Sequence, residues 1–215
     1  MQVGLLTVVL IAEPVVAEEA KYRFDQVTGK HYSLPTVITS TGQTAPDSNS
    51  DQGKSSFGSL VGRGSETIVP VSTDFGIVIE KINANARVIA NVDPSNEAEY
   101  TQALGQGVAH AKGTVFPGQK GNIYLFSHST DAPWNIVRFN AIFYLLRELD
   151  PGDRIIMFYQ GRRYDYIVFD KTIVKPEDTE FLTNSYDESV LTLQTCDPPG
   201  TLSNRLIVRA KLVGN

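Results

Sequence analysis

Cysteine is nearly absent from this sequence, in which Cys196 is the only one among 215 residues. A single cysteine excludes an intrachain disulfide, and the Cys/His spacing of a zinc site is missing. The sequence also lacks a glycine-rich phosphate-binding motif, so we predict neither a metal nor another cofactor. The lone thiol is therefore either a small buried apolar side chain or a nucleophile.

Positive charge is also limited. The chain has 19 Lys and Arg against 24 Asp and Glu, which gives a formal net charge of −5 at pH 7. Proteins that bind nucleic acid neutralise phosphates with a basic surface, and the sequence shows no basic patch. We therefore expect no nucleic-acid partner.

The N-terminus has an apolar run, Val3–Ala12, that is too short to cross a membrane. A spanning helix needs about 20 apolar residues, and no basic segment precedes this run. Val15-Val16-Ala17 resembles the small-residue end of a secretory signal. We interpret residues 1–17 as the outer part of an N-terminal membrane anchor whose beginning is missing, with a signal remnant or an amphipathic surface segment as alternatives.

The next part of the chain, residues 18–65, is polar and rich in Ser, Thr, Gly and Asp. Such a composition buries too little apolar surface to offset the entropy of ordering the chain. We therefore predict a flexible tether here, although Tyr22 and Tyr32 interrupt the pattern and could rest on the domain. Residues 66–215 are long enough for one folded domain with one core.

Strand-like patterns dominate this domain, and they alternate with turn signals. We count about eight strands and two or three short helices, which predicts an all-β fold and favours a closed β-barrel over a sandwich. The clearest strand-like runs are Gly76–Ile82, Ala86–Val92, Gly121–Ser129, Arg154–Tyr159, Arg163–Phe169, Val190–Thr195 and Arg205–Leu212, and the helical patterns are Ser95–Leu104 and Asn135–Leu149.

Cys196 stands at the end of one of these strands. Alternation over Val190–Thr195 stops at the loop Cys196-Asp197-Pro198-Pro199-Gly200, and a second strand starts at Arg205. If the two strands pair as an antiparallel hairpin, Arg205 returns close to Cys196. Another strand, Gly121–Ser129, contains His128 near its end, so that a thiol and an imidazole both lie at strand ends, as nucleophilic thiol catalysis requires.

These motifs resemble those of the sortases, the cysteine transpeptidases of bacterial cell surfaces. The resemblance rests on the order and spacing of several motifs between Ile77 and the C-terminus, and it is greatest to classes D and E. The matching residues are Ala109-His110 with Gly113-Thr114, Pro117-Gly118, Gly121-Asn122, His128, Leu149 with Pro151-Gly152-Asp153, Thr192-Leu193-Gln194-Thr195-Cys196, and Arg205. The family pattern implies that Cys196, His128 and Arg205 are catalytic, and we predict that Thr195 and Ser129 bind substrate.

The resemblance also implies a reaction and its partners. A sortase cleaves a sorting signal of the Leu-Pro-x-Thr-Gly type at the C-terminal end of a surface protein. It holds the product as a thioacyl intermediate, here on Cys196, until an amine of a peptidoglycan precursor or of a pilin resolves it. We expect such partners, and we expect a catalytic domain outside the cell, held at the cell membrane by a single N-terminal anchor.

Two alternatives stay open at this point. A hydrolytic cysteine peptidase shares the thiol and the imidazole, but it needs an Asn or Asp to orient the histidine. Asn122 and Asp131 cannot be distinguished for that task from the sequence. A non-catalytic surface module on a sortase-like scaffold is the second alternative, because a fold does not imply an activity.

Overall fold

A computed structural model describes residues 19–34, 65–129 and 142–214 of the chain. The predicted anchor, residues 1–17, lies outside the described residues, as does most of the predicted tether. None of the described helices is long and apolar enough to cross a membrane.

The domain is built on a closed barrel of eight strands. This confirms the predicted all-β class and the closed barrel. The strands are β3 (Phe75–Ile79), β4 (Ala84–Val92), β5 (Val108–Ala111), β6 (Gly121–Phe126), β7 (Arg154–Tyr159), β8 (Arg162–Val174), β9 (Ser189–Asp197) and β10 (Asn204–Leu212). Their spatial order around the barrel is β10-β8-β7-β3-β4-β5-β6-β9.

The barrel core follows from the two-residue period of its strands. Alternate side chains of a strand point to opposite faces, and the inward positions carry apolar residues, which fill the interior. On the three strands that matter for function these are Ile123 and Leu125 of β6, Leu191 and Leu193 of β9, and Leu206, Val208 and Ala210 of β10. The intervening residues of the same strands lie on the outer face.

Two hairpins show why the local sequence predicts pairing well. β7 and β8 are antiparallel neighbours joined at Gln160 and Gly161, whose φ angles are 50° and 74°. Positive φ at both central residues suits a tight hairpin turn, which glycine adopts without steric cost. β9 and β10 are also antiparallel, as predicted, and the loop between them contains Pro198, Pro199 and Gly200.

The long-range pairing of β6 with β9 is parallel and joins strands that are far apart in sequence. Its register runs from Gly121 opposite Ser189 to Phe126 opposite Gln194. Because the two strands run in the same direction, their C-terminal ends lie at the same end of the barrel. The residues that follow β6 therefore lie beside the end of β9.

The N-terminal segment differs from the flexible tether predicted for it. Residues 19–28 are helical (α1), and β1 (His31–Ser33) pairs in parallel with β2 (Ser65–Thr67). Tyr22 packs into the main apolar core, and Leu34 packs into a second cluster with Val78 and Ile156. Apolar side chains at these positions bury enough surface to order this part, whereas residues 35–64 lie outside the described residues.

The other helical elements are short. α2 (Glu97–Leu104) agrees with the predicted helix and is capped by Asn96, whose side chain accepts a hydrogen bond from the Glu99 N–H. α3 (Glu180–Thr183) lies in the connection between β8 and β9. Part of the helix predicted over 135–149 lies outside the described residues, and its described end forms a 3-10 helix, Tyr144–Glu148. The apolar residues of this described end are buried, with Phe143, Leu146 and Leu149 fully inside the protein.

Candidate active site

Cys196 and Arg205 are register partners across the antiparallel pair β9 and β10. Partners in an antiparallel pair place their side chains on the same face, about 5 Å apart at Cβ. Cys196 lies on the outer face, because Leu193 and Leu191 of the same strand point inward. The predicted hairpin geometry is therefore confirmed, and it brings the thiol and the guanidinium to one side of the barrel wall.

His128 approaches the same end of β9 through the parallel pairing of β6. Phe126 is the register partner of Gln194, so His128 and Cys196 each lie two residues beyond that pair. The Ser127 N–H continues the ladder by donating to the Gln194 carbonyl at 3.1 Å. The His128 side chain is half-buried. The topology thus places His128, just after β6, beside the C-terminal end of β9, which carries Cys196.

The electrostatic environment of Cys196 combines two opposing effects. The side chain is half-buried, and this burial raises the pKa of the Cys196 thiol, because desolvation disfavours the thiolate. The positive charge of Arg205 acts in the opposite direction and lowers this pKa. Burial has the larger effect, so the net shift of this pKa is upward and disfavours the thiolate.

Arg205 is held in place by backbone oxygens. Its Nη1 donates to the carbonyl of Asn204 at 3.0 Å and to that of Leu202 at 3.3 Å. These bonds use one edge of the guanidinium and leave its charge next to β9. The neighbouring surface forms an open depression beside Arg205, whose register partner on β8 is Val174. Its lining residues are Ile173, Val174, Lys175, Glu177, Asp178 and Asn204.

The structure places Thr195 and Ser129 inside the protein. Their exposed fractions are 3% and 1%, and the Thr195 hydroxyl donates to the Ser127 carbonyl at 3.0 Å. This differs from the predicted direct contact with substrate, since neither side chain is open to solvent. Thr195 instead links β9, which carries Cys196, to Ser127, the residue before His128. The buried hydroxyls of Ser127 and Ser129 find no hydrogen-bond partner in the described part of the chain.

Tyr124 and Gln194 form a hydrogen-bonded polar pair on the outer face beside Cys196, and the sequence did not reveal this pair. The Tyr124 hydroxyl donates to Oε1 of Gln194, which is on the same face as Cys196 and two residues before it. Burial raises the pKa of Tyr124; the positive charge of Arg205 opposes this rise, and the carboxylate of Asp178 adds to it. The strand pattern marked Tyr124 only as one more apolar position, and no local signal shows its partner 70 residues away.

The connection between β8 and β9, residues 175–188, covers this outer face and is tied to it at two points. The Asn122 amide donates to the Phe181 carbonyl at 2.8 Å and to that of Leu182 at 3.3 Å, while its Oδ1 accepts from Thr192 at 2.7 Å. Arg209 donates to the Tyr186 hydroxyl at 3.2 Å and stacks its guanidinium against the Phe181 ring. The connection therefore forms a fixed wall of the site.

These contacts also decide a question about Asn122 that the sequence left open. Its amide and its carbonyl oxygen are engaged with the connecting segment and with Thr192, so it does not orient His128. The other residue considered for that task, Asp131, lies outside the described residues.

His110 lies on β5 and is buried against the rings of Phe75 and Phe116, so it does not belong to this site. Its Nδ1 accepts from the Asn91 N–H at 3.3 Å, and its Nε2 donates to the Val115 carbonyl at 3.1 Å. Burial lowers the pKa of His110, which fits a neutral ring with one donor and one acceptor nitrogen. These contacts give His110 a structural role.

A cavity of about 360 Å³ lies between α1, β1 and the 3-10 helix Glu80–Ile82. Charged side chains line it, and several are already paired: Lys30 with Glu66, and Lys81 with Asp150 and Asp153. This cavity thus separates the N-terminal segment from the part of the domain on which that segment packs. Within residues 19–34, 65–129 and 142–214, no three His, Cys, Asp or Glu side chains form a cluster that could hold a metal ion.

Comparison with known proteins assigns most of the chain to one family. The family model described as the sortase domain matches residues 77–213. Sortase D of Bacillus subtilis (strain 168) is 27% identical over 138 residues, which is 63% of this chain and 61% of that protein. The chain thus spans somewhat less than two thirds of the length of this relative.

Solved structures give the same assignment. Sortase A from Corynebacterium diphtheriae superposes with a TM-score of 0.56 at 28% identity, covering 67% of this chain and 62% of that one. Sortase C-1 from Actinomyces oris gives 0.56 at 28%, covering 67% and 77%. The sortase D5 transpeptidase of Clostridium perfringens gives 0.53 at 26%, covering 68% and 82%. With its barrel, its strand-end cysteine and these matches, the chain belongs to the sortase family.

Proposed function

We propose that this protein is a cysteine transpeptidase that cleaves a C-terminal sorting signal and joins the freed carboxyl end to an amine. The single observation that carries the proposal is that Cys196, Arg205 and the segment after β6 that contains His128 meet at one end of β9. Family membership supports the same reaction type, since the name of one structural relative includes the word transpeptidase.

In the first half-reaction, the Cys196 thiolate attacks the carbonyl carbon of the scissile peptide bond. Arg205 stabilises the negative charge that develops on the carbonyl oxygen, because its positively charged side chain lies on the same face of the sheet as Cys196. His128 in its protonated form donates a proton to the leaving amine. The C–N bond breaks, and the acyl group stays on sulfur as a thioester.

In the second half-reaction, an amine attacks this thioester. Neutral His128 accepts the proton of the attacking amine, a new amide bond forms, and Cys196 leaves as the thiolate. Atoms and charges balance without a metal or another cofactor. We propose an amine of a peptidoglycan precursor or of a pilin as the acceptor, and a signal of the Leu-Pro-x-Thr-Gly type as the donor.

The cellular setting is part of the proposal. We propose that residues 66–215 act outside the cell and that residues 1–17 belong to a membrane anchor, with residues 18–65 between them. The packing of Tyr22 and Leu34 shows that part of residues 18–65 is docked on the domain.

The test is capture of the thioester. The full chain is incubated with a peptide that contains the sorting signal, and the mass of the intact protein is measured, with and without a primary-amine acceptor. We expect a mass increase on Cys196 that an added amine discharges as a new amide product, and we expect Cys196→Ala to remain folded without this increase. Discharge only by water would support a hydrolytic peptidase, and an unreactive Cys196 would support a non-catalytic module.

A further inference from the structure

Gln194 is a polar residue beside the reactive thiol that the mechanism above does not use. It lies on the outer face of β9, two residues before Cys196, at a distance along the strand of about 6.6 Å. Its side chain is half-buried, so a ligand on this face can reach it. Its backbone carbonyl already accepts from the Ser127 N–H, so the side-chain amide is the group left for a ligand.

Tyr124 determines which end of this amide faces outward. The Tyr124 hydroxyl donates to Oε1 of Gln194. The Tyr124 side chain is only 5% exposed, and burial raises the pKa of Tyr124, so the phenol keeps its proton and stays a donor. With Oε1 engaged, Nε2 with its two N–H groups is turned away from Tyr124, and the pair presents donors next to the thiol.

A peptide held at Cys196 offers groups that match these donors. Residues of an extended peptide are spaced by about 3.3 Å, so two residues span the distance from Cys196 to Gln194. A peptide that runs over Gln194 therefore places a carbonyl oxygen near Nε2, about two residues from the carbonyl that reacts with Cys196. The fixed connection 175–188 borders the same face. A carbonyl oxygen is the acceptor that an amide N–H binds in this setting.

We infer that Gln194 binds a backbone carbonyl of the sorting-signal peptide through its side-chain amide, and that Tyr124 acts as the positioning residue that orients this amide. The inference rests on the proposed function, which supplies the peptide. It adds to that function a residue that fixes the register of the substrate on the enzyme.

Three variants test the inference by transpeptidation kinetics with the signal peptide. Gln194→Met keeps the length of the side chain and removes the donors. Gln194→Glu keeps an acceptor for Tyr124 but no donor for the peptide. We expect each to lower kcat/KM about tenfold, mainly through KM, because a hydrogen bond made in the ground state and kept in the transition state contributes to binding. Tyr124→Phe should give a smaller loss and no further loss in the Gln194→Met background.

Two controls separate this role from a structural one. Alkylation of Cys196 by iodoacetamide needs no peptide, and its rate should stay at the wild-type value in Gln194→Met. Tyr32→Phe removes a phenol hydroxyl far from this face, one that donates to Asp25 in the N-terminal segment, and it should leave kcat/KM unchanged.

An unchanged kcat/KM in both Gln194 variants, or losses that add in the Tyr124→Phe, Gln194→Met double variant, would overturn the inference while the proposed function stands. A parallel fall of alkylation and transpeptidation would show a structural role and would overturn it as well. If the wild-type protein forms no thioester, the proposed function fails and this inference fails with it.

Discussion

Arg205 faces Cys196 directly across the β9–β10 pair, with its guanidinium bound to the carbonyls of Asn204 and Leu202. This relationship fixes a permanent positive charge beside a thiol whose pKa is raised by burial. The charge therefore has two consequences: it partly offsets the cost of forming the thiolate, and it is placed to stabilise a developing oxyanion.

Removal of this charge should make Cys196 less reactive at neutral pH. In Arg205→Gln the opposing effect on the thiol pKa is lost, so the pKa of Cys196 rises further and the thiolate fraction falls. The pH profile of iodoacetamide alkylation should shift to higher pH. Arg209→Gln is the matched control, because Arg209 lies on the same strand opposite Thr192 and pairs with Asp170. Equal profiles for Arg205→Gln and wild type would contradict the assignment.

The buried His110 should make the fold less stable in mild acid. Its folded-state pKa is lowered by burial, so below about pH 6.5 the unfolded chain binds a proton that the folded protein resists. The stabilising contribution is complete above this pH and is lost progressively as the pH falls toward the folded-state pKa. Urea unfolding at pH 7.5 and pH 5.5 measures it.

Two histidine variants separate the contribution of His110 from that of other groups. His110→Gln should lower the free energy of unfolding at pH 7.5 and should flatten its decrease between the two pH values. His31→Gln, at an exposed site on β1, should retain the wild-type decrease. A steep decrease that persists in His110→Gln would assign the acid sensitivity to other groups.

Asn122 should be important for stability through the wall of the site. Asn122→Ala leaves the Thr192 hydroxyl without its acceptor and the carbonyls of Phe181 and Leu182 without their donor. We expect a loss of about 2–3 kcal/mol in the free energy of unfolding, because buried polar groups lose their partners. Amide hydrogen exchange should also accelerate in residues 175–188. Thr192→Val, which removes one of these bonds, should cost less, and an equal or greater cost would argue against this account.

The N-terminal helix allows a matched pair of aromatic substitutions. Tyr22 is 9% exposed and packs into the barrel core, whereas Phe24 is 66% exposed on the same helix. Tyr22→Ala should cost about 3 kcal/mol, since it leaves a cavity, and Phe24→Ala should change stability by less than about 0.5 kcal/mol. Thermal or urea unfolding of the two variants checks this. Similar losses would show that α1 is not docked through Tyr22.

The sequence was sufficient for the features that depend on local pattern. Alternation predicted the runs that form β7, β8, β9 and β10, and pairing of the last two as a hairpin accounts for the approach of Arg205 to Cys196. It was also sufficient to predict a closed barrel, because the number of strands is a local count.

Features that depend on distant contacts were not predictable. The hydrogen bond between Tyr124 and Gln194 joins two strands whose parallel pairing no local signal reveals. Ser129 lies beyond the end of β6, where alternation no longer applies, so its burial had no local signal. Thr195 is still within β9, and alternation from Leu191 and Leu193 does place it on the inner face. The docking of Tyr22 depends on apolar surface supplied by the barrel, so a polar composition alone predicted a flexible segment there.

The anchoring of residues 175–188 by Asn122 and Arg209 has a thermodynamic consequence for recognition. A segment that becomes ordered only around its ligand loses conformational entropy in the binding step, which weakens affinity. Here that entropy is lost once, when the protein chain folds. An incoming peptide then has only its own freedom to lose, and its association should bury little surface beyond the contact itself.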